Sequence, residues 1–300
     1  MRYFIKNRAG ARALSADDKC WCGSGKKYGE CHKAEDEKLA ALKASGERVP
    51  PRSMIKTPAQ IEGCREAGRI NSLVLDKVSA EIRAGMTTEE INEVVDSETR
   101  RLGGIPAPLG YEGFPKSVCT SVNDQICHGI PSKKVVLKEG DIINVDCTTV
   151  YEGYYGDASR MYMIGEVSER ARKLVSVTAA SVEAAVAALY PYCHLGDIGA
   201  VISGMARKNG YNVVRDIGGH GVGLAMHEDP YVCHIGQRGK GMILAPGMIF
   251  TIEPMINEGR GDYRVDGHDG WQVYTTDGKL SAQVEYEVLI TETGAEILSK

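Results

Sequence analysis

Residues 143–162, INVDCTTVYEGYYGDASRMY, decide how the rest of the chain is read. β-Branched and aromatic residues flank Glu152-Gly153, the pattern of a β-hairpin that turns at that dipeptide. With an even-length turn, Asp146 and Asp157 fall on facing strands with their side chains on one face. Two ionised carboxylates that meet in an apolar setting repel, at a cost on the order of several kcal/mol, unless a shared proton or a cation lies between them. A turn or surface position beside Gly156 would suit Asp157 without any site. It would not suit Asp146, because GDIINVDC otherwise reads as a buried strand.

Further ionisable residues interrupt apolar or glycine-rich stretches downstream. GGHGVGLAMHEDP places His220 and His227 seven apart among glycines that allow close backbone approach, without the HExxH of a zinc-protease helix. MIFTIEPMI carries Glu253 alone in an apolar strand. SAQVEYEVLIT supplies Glu285 and Glu287, which alternate onto one face; spacing does not choose between them, and a salt-bridged surface pair would also fit. Two aspartates, one or two histidines and two glutamates on converging strands make an oxygen-rich site for two divalent cations, of the Mn, Fe or Co kind rather than a structural zinc. Two such ions about 3.5–4 Å apart share a hydroxide, the nucleophile that hydrolysis needs at neutral pH.

Around these motifs the chain reads as two helices, then strands, then two further helices. Thr57-Pro58-Ala59-Gln60 is a capping box with proline at the first helical position, so a helix is expected from there to about Gly85. Thr87 with Glu90 caps a second helix that ends near Gly103-Gly104. Residues 167–190 give a long helix, and LGDIGAVISGMARKNG a shorter one that ends at Gly210. Gly85 precedes Ile91 by six, and Gly196 precedes Ile202 by six, which suggests two similar α+β halves around a shared site.

Composition bounds the class. The 300 residues are 43% hydrophobic and 25% charged, enough for one large core and a small appendage, and no apolar run is long enough for a membrane span. The start, MRYFIKNRAGARALSADDK, lacks the apolar region of a secretory signal; its basic, acid-free first sixteen residues share only those features with a mitochondrial presequence. Nine cysteines, an odd number, speak against a disulfide framework, and the expected compartment is the cytoplasm. Residues 1–33 carry a formal charge of +5 and the remainder −9. A basic head precedes an acidic body.

That head contains KCWCGSGKKYGECHK, where Cys20, Cys22, Cys31 and His32 can close a tetrahedral zinc shell around a Gly-Ser-Gly turn. The segment is too short and polar to bury free thiols in a core of its own. It resembles the SEC-C motif, the small zinc knuckle of the SecA translocation ATPase. Residues 1–33 are therefore read as the knuckle, 34–53 as a short helix and linker, and 54–300 as the main domain. The basic knuckle is expected to dock on the ribosome or another part of the translation and export machinery.

From residue 54 onward the chain resembles the type I methionine aminopeptidases, through GYEGFPKSVCTSVNDQICHGIP, INVDCTTVYEGYYGDASRMY, GHGVGLAMHEDP, FTIEPMI and SAQVEYEVLIT in that order. The resemblance implies an α+β pita-bread fold of two pseudo-symmetric halves, and a dinuclear centre held by Asp146, Asp157, His220, Glu253 and Glu285. It implies two divalent ions (Co, Fe, Mn or Zn) that activate a hydroxide to remove N-terminal methionine ahead of a small second residue. His128 would contact the substrate, His227 would bond its carbonyl, and Glu253 would shuttle a proton. Tyr111, Phe114, Cys119, Met226 and Trp271 would line the methionine pocket, and Asn123 and Ser281 match a monovalent-cation site in some relatives. A monomer acting on nascent chains, without membrane attachment, is the implied state. Phe114 stands where tyrosine is common, Met226 where phenylalanine is, and Pro108 where cysteine often is.

Rival readings fit less of the chain. Prolidases and aminopeptidase P carry a large additional N-terminal domain and further active-site histidines, for which 53 residues leave no room. A non-catalytic binding relative would have lost metal ligands, and all five are present. A thiol- or zinc-handling protein would account only for the N-terminal cysteines.

Overall fold

The computed structural model describes residues 14–300; residues 1–13, most of the acid-free basic start, lie outside the described residues. Two compact units divide between Val49 and Pro50. In the first, Gly23 and Gly25, both at φ 75°, turn the chain so that Lys19 bridges Lys27, and helix α1 (Lys33–Ala44) follows directly on His32.

In the second unit the two capping boxes form as the sequence dictates. Thr57 opens α2 (Pro58–Glu81) and Thr87 opens α3 (Thr88–Arg101), each with reciprocal side-chain and backbone bonds. Helix α2 stops at Glu81, four residues before the expected Gly85. Ile82 turns to extended backbone (ψ 129°) and packs with Ala84 against the core, while Gly85, at φ 89°, donates its N–H to the Leu137 carbonyl. Helices α4 (Glu169–Ala187) and α5 (Leu195–Lys208) follow, with Gly210 at φ 80° just beyond α5.

The hairpin pairs Ile142–Tyr151 with Tyr154–Met163 across Glu152 (φ 49°) and Gly153 (φ 85°), the two left-handed residues that a tight hairpin turn requires. Thr148 faces Asp157 and Asp146 faces Ser159, so the two aspartates lie diagonally on one face. The other edge of Ile142–Tyr151 takes Cys119–Val122 and Ile105–Pro106 in tandem. Val74 and Val78 of α2, Ile91 and Val95 of α3, and Ile143 and Val145 of the hairpin share one buried cluster. A five-stranded sheet runs in the order Ala295–Ser299, Tyr286–Ile290, Ile249–Ile252, Gly219–Gly221, Glu228–Val232.

The two halves do repeat, but in a different register from that suggested by Gly85 and Gly196. Gly196 lies inside α5, whereas Gly85 precedes α3. The residue equivalent to Gly85 is Tyr192, 107 positions later and also at positive φ (71°). The same step relates N-cap Thr87 to His194, and the bridge Thr87–Val136 to His194–Ile243. It relates the bond from Gly85 N to Leu137 O to that from Tyr192 N to Leu244 O. A tyrosine held in left-handed backbone hid the repeat from a search for glycine.

Close approach of α2 to the hairpin gives a test of this packing. A Cβ on Gly156 would lie 2.4 Å from the backbone of Ala67 and Gly68, whereas one on Gly204, in the exposed face of α5, meets nothing within 4 Å. Gly156→Ala is expected to destabilise by about 1–3 kcal/mol through overpacking. Gly204→Ala is expected to stabilise by up to about 1 kcal/mol through helix propensity. Thermal and urea unfolding of both variants would check the pair of opposite signs.

Candidate active site

Strands from both halves bring Asp146, Asp157, Glu253 and Glu285 to one cavity of about 420 Å³, with His220 among them. Asp157, His220 and Glu285 place ligand atoms within 4.8 Å of one another; Glu253 joins through Oε1, 3.5 Å from His220 Nε2. The 107-residue step that relates the halves also carries Asp146 onto Glu253, so the first hairpin and its counterpart contribute equivalent carboxylates. Asp157 is a buried strand residue, not a turn or surface aspartate. Glu285 and Glu287 are both buried, which removes the surface-pair reading.

Burial pushes every one of these carboxyls up, Asp146 to about 7 and Asp157, Glu253 and Glu285 well above their usual range, with mutual repulsion adding to the last three. Among the described residues no lysine or arginine pairs with any of the four. The imidazole of His220 sharpens the point. Its Nδ1 bonds the Gly221 carbonyl at 3.0 Å, and since a carbonyl only accepts, Nδ1 carries the proton. Burial lowers its pKa to about 4 and keeps the ring neutral. Bare Nε2 then faces Asp157 Oδ2 at 3.8 Å and Glu253 Oε1 at 3.5 Å. A lone pair aimed at carboxylate oxygens is a donor set that fits a cation and little else.

Neighbouring groups fix the carboxylates from behind. Thr148 Oγ1 donates to Asp157 (2.8 Å), Thr251 Oγ1 to Glu253 Oε1 (2.8 Å) and Gln283 Nε2 to Glu253 Oε2 (3.1 Å). His234, 1% exposed and held neutral by burial with a pKa of about 3, accepts the Glu253 N–H on Nε2 (3.1 Å). Glu287 accepts the Asp157 N–H at 2.9 Å. Sequence reasoning missed these supports. Alternation marked Glu287 as facing with Glu285, but nothing local marked His234.

The same cavity is also lined by aromatic and apolar residues. Phe114 and Trp271 pack edge-to-face at 5.2 Å, His128 meets Trp271 at 5.9 Å, and Cys119 and Met226 complete the set. His227 lies 4.3 Å from His220, ring to ring, and its Nδ1 shares a 2.7 Å hydrogen bond with Tyr111. Burial lowers both His128, to about 4, and His227, so both rings are neutral near pH 7. His128 sits at φ 55°, backbone strain of the kind found at functional sites. Asn123 and Ser281 do not line this cavity. They meet elsewhere, with the Asn123 carbonyl accepting the Ser281 N–H at 2.9 Å and the buried Ser281 Oγ without a partner among the described residues.

In the N-terminal unit Cys20, Cys22, Cys31 and His32 also converge. His32 Nδ1 lies 3.2 Å from Cys20 Sγ and 3.1 Å from Cys31 Sγ, and Cys22 lies 3.6 Å from Cys31. These spacings are close to the roughly 3.5–3.8 Å edges of a tetrahedral S₃N shell. Asp36 braces the cluster by accepting from Trp21 and Tyr28.

A family pattern for metallopeptidase family M24 matches residues 62–292, and one for the SEC-C motif matches residues 18–34. Methionine aminopeptidase A of Synechocystis is 49% identical over 240 residues, spanning 80% of this chain and 94% of that protein. The chain belongs to the methionine aminopeptidases of family M24. Among methionine aminopeptidases, that of Chlamydia trachomatis is 43% identical over 95% of this chain and 99% of its own length. The crystal structure of the Rickettsia prowazekii methionine aminopeptidase has a TM-score of 0.80 at 41% identity, covering 82% of this chain and 99% of that one. Membership brings the pita-bread fold, metalloaminopeptidase class and a divalent-metal centre. No helix among the described residues is long and apolar enough to cross a membrane.

Glu287 gives a prediction specific to this site. Glu287→Ala removes the acceptor of the Asp157 N–H and opens a buried void, and is expected to cost about 2–4 kcal/mol. Glu287→Gln keeps an oxygen acceptor and should cost less than half of that. Chemical denaturation of the two variants would check the order.

Proposed function

We propose that this chain removes the N-terminal methionine from peptides and nascent proteins whose second residue is small. One observation carries the reading: a single cavity joins a carboxylate–imidazole cluster to an apolar wall of Phe114, Cys119, Met226 and Trp271. Asp146, Asp157, His220, Glu253 and Glu285 would hold two divalent ions of the Mn, Fe, Co or Zn group. Such ions, when bound, supply a water nucleophile at neutral pH and polarise the scissile carbonyl.

The protein's own residues do the remainder. The methionine thioether lies against the aromatic wall, where sulfur and ring surfaces suit one another. A Tyr111 hydroxyl that donates in its bond to Nδ1 would leave the His227 proton on Nε2, to be offered to the substrate carbonyl as negative charge develops. His128 contacts the substrate beside the scissile amide. Glu253, oriented by Thr251 and Gln283, takes the proton of the attacking water and passes it to the leaving amine. A monovalent cation between Asn123 and the unpartnered Ser281 Oγ would brace the strands behind the site.

Cys20, Cys22, Cys31 and His32 would hold a structural zinc, and the N-terminal unit would dock a cytoplasmic monomer on the ribosome or export machinery. The charge behind this lies mostly outside the described residues, since residues 1–13 hold four of the eight cations of residues 1–33 and no acids.

Four outcomes test these roles. Met-Ala peptides should turn over at least about tenfold faster than Met-Leu peptides, the scale on which a pocket rejects added methylenes; equal turnover would refute the specificity. His220→Ala should lose divalent-ion affinity in calorimetric titration. His227→Ala should instead keep that affinity while kcat falls roughly two to three orders of magnitude and KM changes little. Protein lacking residues 1–49 should retain peptide hydrolysis within about twofold, as an independent unit would, but co-sediment less with ribosomes at low salt.

A further inference from the structure

Lys56 is a lysine whose side chain is 2% exposed, immediately before the capping residue Thr57. Its backbone is fixed first: the Lys56 N–H donates to Gly247 O at 2.9 Å, and Ile55 beside it bridges Met248. A buried ammonium is costly unless paired. Nζ donates to Glu228 Oε2 at 2.5 Å, 172 residues later.

Glu228 directly follows His227 in sequence. Its second oxygen, Oε1, accepts the N–H groups of Leu224 (2.6 Å) and Ala225 (3.0 Å), so one carboxylate closes residues 224–228 on themselves. The root of this loop rests on the lysine stem. Gly223, at φ 126°, is so close that an added Cβ would lie 3.2 Å from Lys56 Cε and 2.7 Å from Cys64 Sγ, and its carbonyl accepts the Tyr155 N–H at 3.0 Å. At the far side, Met226 and His227 line the cavity and His227 bonds Tyr111. The ammonium also faces Glu287: burial pushes that carboxyl well above its usual range, and the Asp157 N–H and the Lys56 charge pull the other way.

We propose that Lys56 is a positioning residue for His227, setting through Glu228 the loop that presents the imidazole to the substrate carbonyl. The proposal rests on the role given to His227 above. A charge-assisted bond is about twice as strong as a neutral one, and a donor misplaced by about 1 Å can cost on the order of a hundredfold in rate. Lys56 touches no reacting atom; it acts through the loop.

The test is a double-mutant cycle on the full chain with a Met-Ala peptide. Lys56→Met and Glu228→Gln, each alone, should lower kcat about ten- to a hundredfold with KM and bound metal little changed. In a His227→Ala background, where the imidazole to be positioned is gone, neither should lower kcat further. In histidine-labelled, metal-free protein, the imidazole resonance that disappears in His227→Ala should shift or broaden in Lys56→Met, while that of His268 stays in place. If His227→Ala itself leaves kcat intact, the reading of His227 is wrong. If His227→Ala lowers kcat but the two variants act equally in both backgrounds, or leave kcat and the resonance unchanged, Lys56 is not a positioning residue. Should Lys56→Met fail to fold, the partly exposed Glu228→Gln decides the question alone.

Discussion

Everything in this fold turns on the cost of crowding carboxylates into one largely buried cavity. Asp146, Asp157, Glu253 and Glu285 sit in one cavity, burial raises each, and no lysine or arginine among the described residues offsets them. His220, which could have supplied a proton, is held neutral with its lone pair toward two of them. Such a cluster persists only if the surrounding strands are stable enough to hold it open, and it gains most from a divalent ion.

The framework meets that demand by placing each carboxylate in a strand or directly beside one. Asp157 lies within a ten-residue strand, bonded at its backbone by Glu287 and at its side chain by Thr148. Glu253 follows the strand Ile249–Ile252 and is held at both oxygens and at its N–H. Rigid elements place donors more closely than loops can. The segment carrying Met226 and His227 is a loop, closed by Glu228 and anchored by buried Lys56.

The two halves explain why the site is central. A 107-residue step carries helix caps, bridges and left-handed residues of one half onto the other, and Asp146 onto Glu253. Each half therefore brings a carboxylate at the equivalent position, Asp146 within its strand and Glu253 just after Ile249–Ile252, and the two line the same cavity. Cys127 and Cys147 are buried in the core and Cys119 is half-buried at the cavity; burial raises all three thiols, which keeps them protonated near pH 7.

By itself the sequence determined what depends on near neighbours. Both capping boxes, the hairpin turning at Glu152-Gly153, the shared face of Asp146 and Asp157, and the grouping of Cys20, Cys22, Cys31 and His32 follow from spacings of a few residues, over which backbone geometry allows few alternatives. Tertiary structure alone decided what depends on distant elements. The end of α2 moved because Ile82 found a core and Gly85 a distant carbonyl. The repeat appeared only when Tyr192 proved to hold the backbone of Gly85, an angle that residue type does not announce. His234 behind Glu253, Glu287 behind Asp157 and Lys56 beneath the His227 loop are each set by contacts spanning 19, 130 and 172 residues. No local periodicity encodes such pairs, because their geometry exists only after the sheets have packed.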